Sequence, residues 1–218
     1  MDGRVLLIGP SRVGDGVLVT GLVERLVRDG ARLTLACGPA AMPLFANVAG
    51  IERRIAVVKR RCGLHWVGLW GATVGTAWHA VGDLRGSALA YLVRARERRV
   101  FRPSVLPGHR LEALAAALGV PPAEPVLRLA PTDVAAGTAL MPETPFLALG
   151  PCANWSGKVW PAERFVGLAR ALTGPGGALA GARVAVLGGP GEKPAARPIA
   201  EALPGAVDLV GRTTLLEA

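Results

Sequence analysis

The sequence predicts an α/β protein made of two successive units of parallel strands and crossover helices, the second shorter than the first. Three observations carry this prediction. Apolar runs of strand length alternate with amphipathic stretches of helix length, the order that produces parallel strands joined by crossover helices. A stretch punctuated by proline and glycine, Ala130–Pro145, interrupts the alternation, which then restarts. The chain of 218 residues is 51% hydrophobic, enough apolar surface for one large core or two small ones.

Taken in order, Arg4–Ile8 reads as a strand and Val17–Arg28 as a helix. Arg32–Ala36 is a second strand, followed by a helix near Ala40–Val48. Ile55–Val58 and Trp78–Leu84 read as further short strands, and Leu111–Leu118 as a helix stopped by Gly119 and Pro121. Pro131, Gly137, Pro142 and Pro145 then break up a weakly patterned stretch. The expected organisation is a first domain over 1–130, a linker over 131–145 and a second domain over 146–218. In the second domain Phe146–Leu149 reads as a strand, Pro161–Leu172 as a helix opened by proline, and Arg183–Leu187 as a strand leading into a Gly188–Gly191 loop. Leu215–Ala218 resembles the start of another helix.

Lys and Arg number 25 against 16 Asp and Glu, a formal charge of +9, which favours an anionic partner. The basic clusters Arg53–Arg54, Lys59–Arg61 and Arg94–Arg102 have few aromatics among them and no helix-turn-helix or RNA-recognition signature, which argues against nucleic acid. Cys37, Cys62 and Cys152 are scattered, without metal-ligand spacing, and read as three ordinary buried thiols. Met1–Ile8 is too short for a signal-peptide core and no small-residue cleavage pattern follows, so a cytoplasmic location is expected. Cys62–Gly82 has no charged side chain, but its glycines and two histidines make it a poor membrane span. Trp66, Trp70 and Val74 recur at helical spacing there. With Lys59, Arg60 and Arg61 they form either a membrane- or acceptor-facing edge or an ordinary core-facing helix.

The stretch "LLIGPSRVGDGVLVTGLVERL" at 6–26 enters a glycine-rich turn from a strand and leaves it in a helix. A P-loop is excluded, since Asp15 and Gly16 replace its lysine and hydroxyl, and a carboxylate there would repel phosphate. The dinucleotide fingerprint also fails: Gly14 and Gly16 supply G-x-G, but residue 19 is valine. Asp15 is therefore either a first-turn acid complementing the helix dipole or a general base at the carboxyl end of the first strand, where open α/β sheets bind ligands.

The second unit has two comparable loops. In "LGPCANWSGKVWPAERF" at 149–165 a strand end, small and polar residues, Lys158 and a helix N-terminus together make an anion site, with a solvated loop lysine as the bland alternative. In "VAVLGGPGE" at 184–192, Glu192 could accept hydrogen bonds from a ribose diol or serve as a first-turn helix acid.

Together these segments resemble glycosyltransferase family 9, the ADP-heptose:lipopolysaccharide heptosyltransferases. The resemblance is carried by "SRVGDGVLVTGLVERL" (11–26), "AWHAVGDLRGSALA" (77–90), "GHRLEALAAALGV" (108–120), "LGPCANWSGKVWPAERFVGLARAL" (149–172), "VLGGPGE" (186–192) and "LVGRTTLLE" (209–217), in the family's order. It implies a GT-B fold of two Rossmann-like domains, with the acceptor held by the first and the nucleotide sugar by the second. It implies inverting transfer of heptose from ADP-heptose to the lipopolysaccharide inner core, without metal or cofactor. Asp15, beside Gly14, is similar to the family's catalytic base and Lys158 to the residue that stabilises the departing diphosphate. Ala153 and Asn154 match the loop that contacts the phosphates, and Glu192 matches a ribose contact.

The sequence departs from the family at Cys152, which replaces a usual glycine, and at Ala153, which replaces a hydroxyl residue. The family's D-T-G-x-x-H loop is expected downstream of Ala218, so the resemblance implies a second domain that is incomplete in this chain. It also implies peripheral contact with the anionic inner face of the cytoplasmic membrane, in line with the basic balance. The alternative readings are a GT-B transferase using another nucleotide sugar and a non-catalytic acceptor- or nucleotide-binding remnant.

Overall fold

The computed structural model describes residues 3–102, 109–140, 145–153 and 155–218, and the chain divides into two compact units, Met1–Arg128 and Leu129–Ala218. The first unit is built on five parallel strands, β1 (Gly3–Ile8), β2 (Ala31–Cys37), β3 (Ile51–Ala56), β4 (Trp78–Asp83) and β5 (Ala95–Val100). They are arranged in the order β3-β2-β1-β4-β5. Among the described residues four helices accompany them: α1 (Val13–Arg28), α2 (Leu64–Thr73), the single turn α3 (Leu89–Leu92) and α4 (Arg110–Leu118). The inner strands are apolar without alternation because both faces are covered. Leu6, Leu7, Ile8, Leu33 and Leu35 are all fully buried. On one face Leu6, Ile8 and Val81 pack with Leu69 of α2 and with Leu89 and Ala90 of α3. α1 packs against both β2 and α4.

Several elements differ from the sequence expectation. α1 starts at Val13, four residues before the expected start, because Gly14 and Gly16 lower helix propensity but do not forbid a helix whose later turns bury Val19, Leu22, Val23 and Leu26. The helix expected near 40–48 shrinks to a 3₁₀ turn, Met42–Phe45, since Pro43 has no N–H to donate to a longer helix. β3 begins at Ile51, earlier than the strand expected over Ile55–Val58. β5 has the sequence ARERRV; its charges disguise an edge strand, whose ladder is made by backbone groups whatever the side chains.

A strap, residues 122–128, ties the end of this unit back onto α1. The Val126 N–H donates to Thr20 Oγ1 at 2.9 Å, and a Cβ at Gly21 would lie only 1.9 Å from the Glu124 carbonyl oxygen. Arg128 closes the strap through two hydrogen bonds to Glu24, 2.6 and 2.7 Å.

The second unit has a three-stranded parallel sheet, β6 (Phe146–Leu149), β7 (Arg183–Val186) and β8 (Val207–Asp208), paired in that order. Val166 and Ala169 of α6 (Ala162–Thr173) and Ala196 and Ile199 of α7 (Lys193–Ala202) pack onto Leu149, Val184 and Val186. The stretch expected as a linker carries a helix, α5 (Pro131–Leu140). Proline suits its first position, the Asp133 carboxylate accepts from the Ala130 N–H at 2.8 Å, and Gly137 gives close access to the Glu217 carbonyl, 2.5 Å from where a Cβ would stand. Its apolar residues follow no single stripe, so periodicity did not reveal it.

Candidate functional site

In the first sheet β2 and β4 flank β1, so the chain leaves β1 toward one edge and returns on the other side. The carboxyl ends of β1 and β4 form the topological switch point, where open α/β sheets bind ligands. A cavity of about 310 Å³ lies there, lined by Pro10, Ser11, Arg12 and Asp15 after β1, by Leu84 and Arg85 after β4, and by Phe101, Arg110 and Leu114 beyond β5.

Asp15 occupies the first turn of α1; it is a helix residue and does not sit on a free loop. The N-terminal position Arg12 makes no side-chain cap, so the carboxylate complements the dipole only through space. Among the described residues it has no hydrogen-bond or ion-pair partner. Gly14 beside it is exposed, and a Cβ there would meet nothing within 4 Å. Packing does not require this glycine, and its lack of a side chain leaves the approach to the first turn open.

The cavity carries three cations that sequence reasoning did not single out. The Arg85 guanidinium lies over the Trp66 ring at 4.8 Å and Arg110 lies over Phe101 at 4.9 Å, so both heads rest on aromatic faces; Arg12 is exposed. None of the three pairs with an acid among the described residues. The loop bearing Arg85 is set by Asp83, a fully buried acid at the last position of β4. Asp83 accepts from the Arg85 N–H at 2.8 Å and from the Ser87 N–H and hydroxyl at 2.7 and 2.5 Å. The signal was available in "VGDLRGS": a buried acid closing an apolar strand needs hydrogen-bond donors, and the loop after it supplies them.

In the second unit the candidate residues lie on loops at the carboxyl ends of β6 and β7. Lys158 ends a 3₁₀ turn, Ser156–Lys158, just before α6. It is exposed and its side chain is unpartnered among the described residues. Trp155, 64% exposed, folds its ring over Gly157. Ala153 is exposed, and Asn154 lies outside the described residues. Glu192 ends a second 3₁₀ turn, Pro190–Glu192, and its Oε2 accepts from the Gly189 N–H at 2.6 Å. One carboxylate oxygen is thus engaged in holding its own turn. The Cys152 thiol points at the Glu192 carbonyl, 3.9 Å away, which links the β6 and β7 loops. Burial and the neighbouring Glu192 carboxylate raise that thiol's pKa.

The cysteines differ from the expectation of three buried thiols. Cys37 is buried, its pKa pushed up by burial to about 12; Cys152 is half-buried, and Cys62 is exposed with a left-handed backbone, φ 53°. Among the described residues no group of three or more His, Cys, Asp or Glu could hold a metal ion, and no helix is long and apolar enough to cross a membrane.

No curated protein matches the chain in sequence. Several solved structures share its fold, three of them as follows. A glycosyl transferase family 9 protein from Veillonella parvula aligns over 100% of this chain and 72% of its own, at 18% identity and TM-score 0.76. ADP-heptose lps heptosyltransferase II from E. coli aligns over 98% and 74%, at 18% identity and TM-score 0.72. E. coli heptosyltransferase WaaC with ADP aligns over 94% and 74%, at 18% identity and TM-score 0.66. The parallel-sheet α/β architecture is therefore that of the GT-B heptosyltransferases. Residues 69–218 match the model of Glycosyltransferase family 9 (heptosyltransferase), and with more than half of its length so matched the chain belongs to glycosyltransferase family 9.

Proposed function

We propose that the chain transfers heptose from ADP-heptose to the inner core of lipopolysaccharide with inversion, Asp15 acting as general base. The observation that carries this reading is the Asp15 carboxylate at the switch point, unpartnered among the described residues, in a cavity with three cations that form no ion pair with a described acid. An acceptor sugar bearing carboxylates or phosphates fits that charge, since guanidinium groups bind both in a forked geometry. Asp15 takes the proton of the acceptor hydroxyl as its oxygen bonds to the anomeric carbon. The bond to the diphosphate breaks on the opposite side, and ADP leaves with the electron pair. Lys158 and the free N–H groups at the start of α6 stabilise the departing diphosphate, and Ala153, Asn154 and Glu192 border the nucleotide. In this reading no metal is needed, because the leaving charge meets a lysine and a helix N-terminus.

Asp15→Asn tests the assignment. The amide keeps the shape and cannot accept the proton, so turnover by the natural polypeptide should fall about 100- to 10,000-fold, with ADP affinity unchanged. Near-normal turnover would return Asp15 to the role of a dipole-complementing acid.

The reading extends to contact with the anionic inner face of the cytoplasmic membrane. It is supported by an apolar surface on α2 and α3, where Leu64, Val67, Trp70 and Leu92 are 42–62% exposed, next to the exposed Lys59, Arg60 and Arg61. Such surfaces bind anionic interfaces. Trp66 is half-buried and packs on the core, so the edge runs through Trp70 and leaves Trp66 out. Flotation with phosphatidylglycerol vesicles should show binding that Trp70→Glu abolishes; recovery of the variant at the wild-type level would remove this surface from the reading.

A further inference from the structure

At the amino ends of its strands, the far end of the sheet from Asp15, the first unit holds a second concentration of positive charge. The β1–β2 register aligns Arg4 with Arg32. The β1–β4 register, which pairs Val5 with Ala80, sets His79 beside Arg4 one position earlier. The β4–β5 register runs from Trp78 and Ala95 to Ala80 and Glu97, which sets Arg96 beside His79. Residues in register on neighbouring parallel strands share a face and stand about 4.8 Å apart. Arg32, Arg4, His79 and Arg96 therefore form one row across four strands, about 14 Å long by that spacing. With Arg94 and Trp78 they line a cavity of about 430 Å³.

Two other arginines of this sheet, Arg54 and Arg98, show what makes the row unusual. Arg54 donates to the Phe45 and Val48 carbonyls at 3.0 and 2.9 Å, and Arg98 to those of Ala90, Ala95 and Val93, each at 3.0 Å. Both heads are spent on turns of the fold. Among the described residues the side chains of Arg4, Arg94 and Arg96 have neither a hydrogen bond nor an ion pair, and Arg32 reaches Glu52 only at 3.9 Å, with both groups about half exposed. Like charges opposite one another on adjacent strands repel and cost stability. Among the described residues only the long Arg32–Glu52 pair offsets any of that cost.

We infer that this row is a binding site for an anion carrying two or more neighbouring phosphate groups. A single phosphate engages one or two guanidinium groups, which leaves most of a 14 Å row unused. Phosphates spaced along a chain, or presented side by side by lipid headgroups, match the row along its length. The site is separate from the Asp15 cavity: the strands, about 20 Å long at 3.3 Å per residue, lie between them. The inference does not depend on the glycosyl-transfer reading.

Calorimetry with tripolyphosphate and with orthophosphate tests it on the wild-type chain, on Arg4→Gln/Arg96→Gln and on Arg164→Gln/Arg183→Gln, which removes the same charge from the second unit. Tripolyphosphate should bind more tightly than orthophosphate, and its affinity should fall at least about tenfold in the first variant, as expected for losing hydrogen bonds to charged groups. The second variant should keep it. Thermal melts supply an independent readout: without ligand Arg4→Gln/Arg96→Gln should melt no lower than wild type because repulsion is relieved, and only wild type should gain melting temperature with tripolyphosphate. Phosphatidylglycerol vesicles distinguish the source of the phosphates. Vesicle binding that depends on Arg4 and Arg96, with tripolyphosphate bound weakly, assigns the site to headgroups; the reverse assigns it to a soluble polyphosphate. Failure of both probes to bind, or equal binding by wild type and Arg4→Gln/Arg96→Gln, overturns the inference.

Discussion

The loops that follow β1 and β4 in the first unit and those that follow β6 and β7 in the second arise in the same way, as strand-to-helix turns at the carboxyl edge of a parallel sheet. They use their acids differently. In the first unit the structural work falls to Asp83, which is buried and accepts three hydrogen bonds, and Asp15, beside a cavity, has no partner among the described residues. In the second unit Glu192 holds its own turn through the Gly189 N–H, and a cation, Lys158, is left unpartnered among the described residues. Chemistry needs a group with spare hydrogen-bonding capacity in a place that the fold holds firm. The first unit divides those two tasks between two residues, whereas in the second unit Glu192 would perform both.

This contrast is breakable by substitution. Asp83→Ala should have the largest effect on stability: it removes the acceptor of three part-buried hydrogen bonds and should cost about 3 kcal/mol in urea unfolding, at roughly 1 kcal/mol for each bond lost. Asp15→Asn should cost less than about 1 kcal/mol, the scale of a dipole interaction. Equal costs would mean that Asp15 also supports the fold, and the division of tasks would fail.

A smaller effect is expected at Glu192. Glu192→Ala should destabilise the second unit by about 1 kcal/mol, the usual scale for losing a helix cap, whereas Glu192→Gln keeps an oxygen for the Gly189 N–H and should cost little. ADP titrations sharpen the comparison. If Glu192→Gln binds ADP as wild type does and Glu192→Ala binds it weakly only where the unit is partly unfolded, Glu192 serves its turn alone. A loss of ADP affinity in folded Glu192→Ala supports the ribose contact.

The smallest effect concerns the strap. The Arg128 hydrogen bond, opposed in part by burial, lowers the Glu24 pKa below its ordinary value of 4.5. A carboxyl group with a depressed folded pKa contributes stability that is complete above the unfolded value and is lost as pH falls through the folded one. The stability difference between wild type and Arg128→Gln should therefore be full at neutral pH and close as the pH falls below 4.5. Denaturant midpoints measured across that range check this, and a gap that persists in acid would mean that Arg128 acts by packing instead of charge.

Local chemistry was enough to read much of this protein from its sequence. The alternation of apolar runs and amphipathic stretches announced parallel α/β architecture, and the strand Phe146–Leu149 stands where its residues indicated. Asp15 was marked as a candidate because a carboxylate after a glycine-rich turn contradicts phosphate binding. Tertiary structure decided what local pattern does not encode. β5 is a strand because its backbone pairs with β4, although its side chains are mostly charged, and α5 is a helix although its apolar residues follow no stripe. The cavity joins residues near positions 12, 85 and 110, and the arginine row joins 4, 32 and 96. Neither grouping is visible along the chain, because sheet order and register determine which distant side chains become neighbours. The same pairing determines which charges the fold satisfies internally and which it leaves for a ligand.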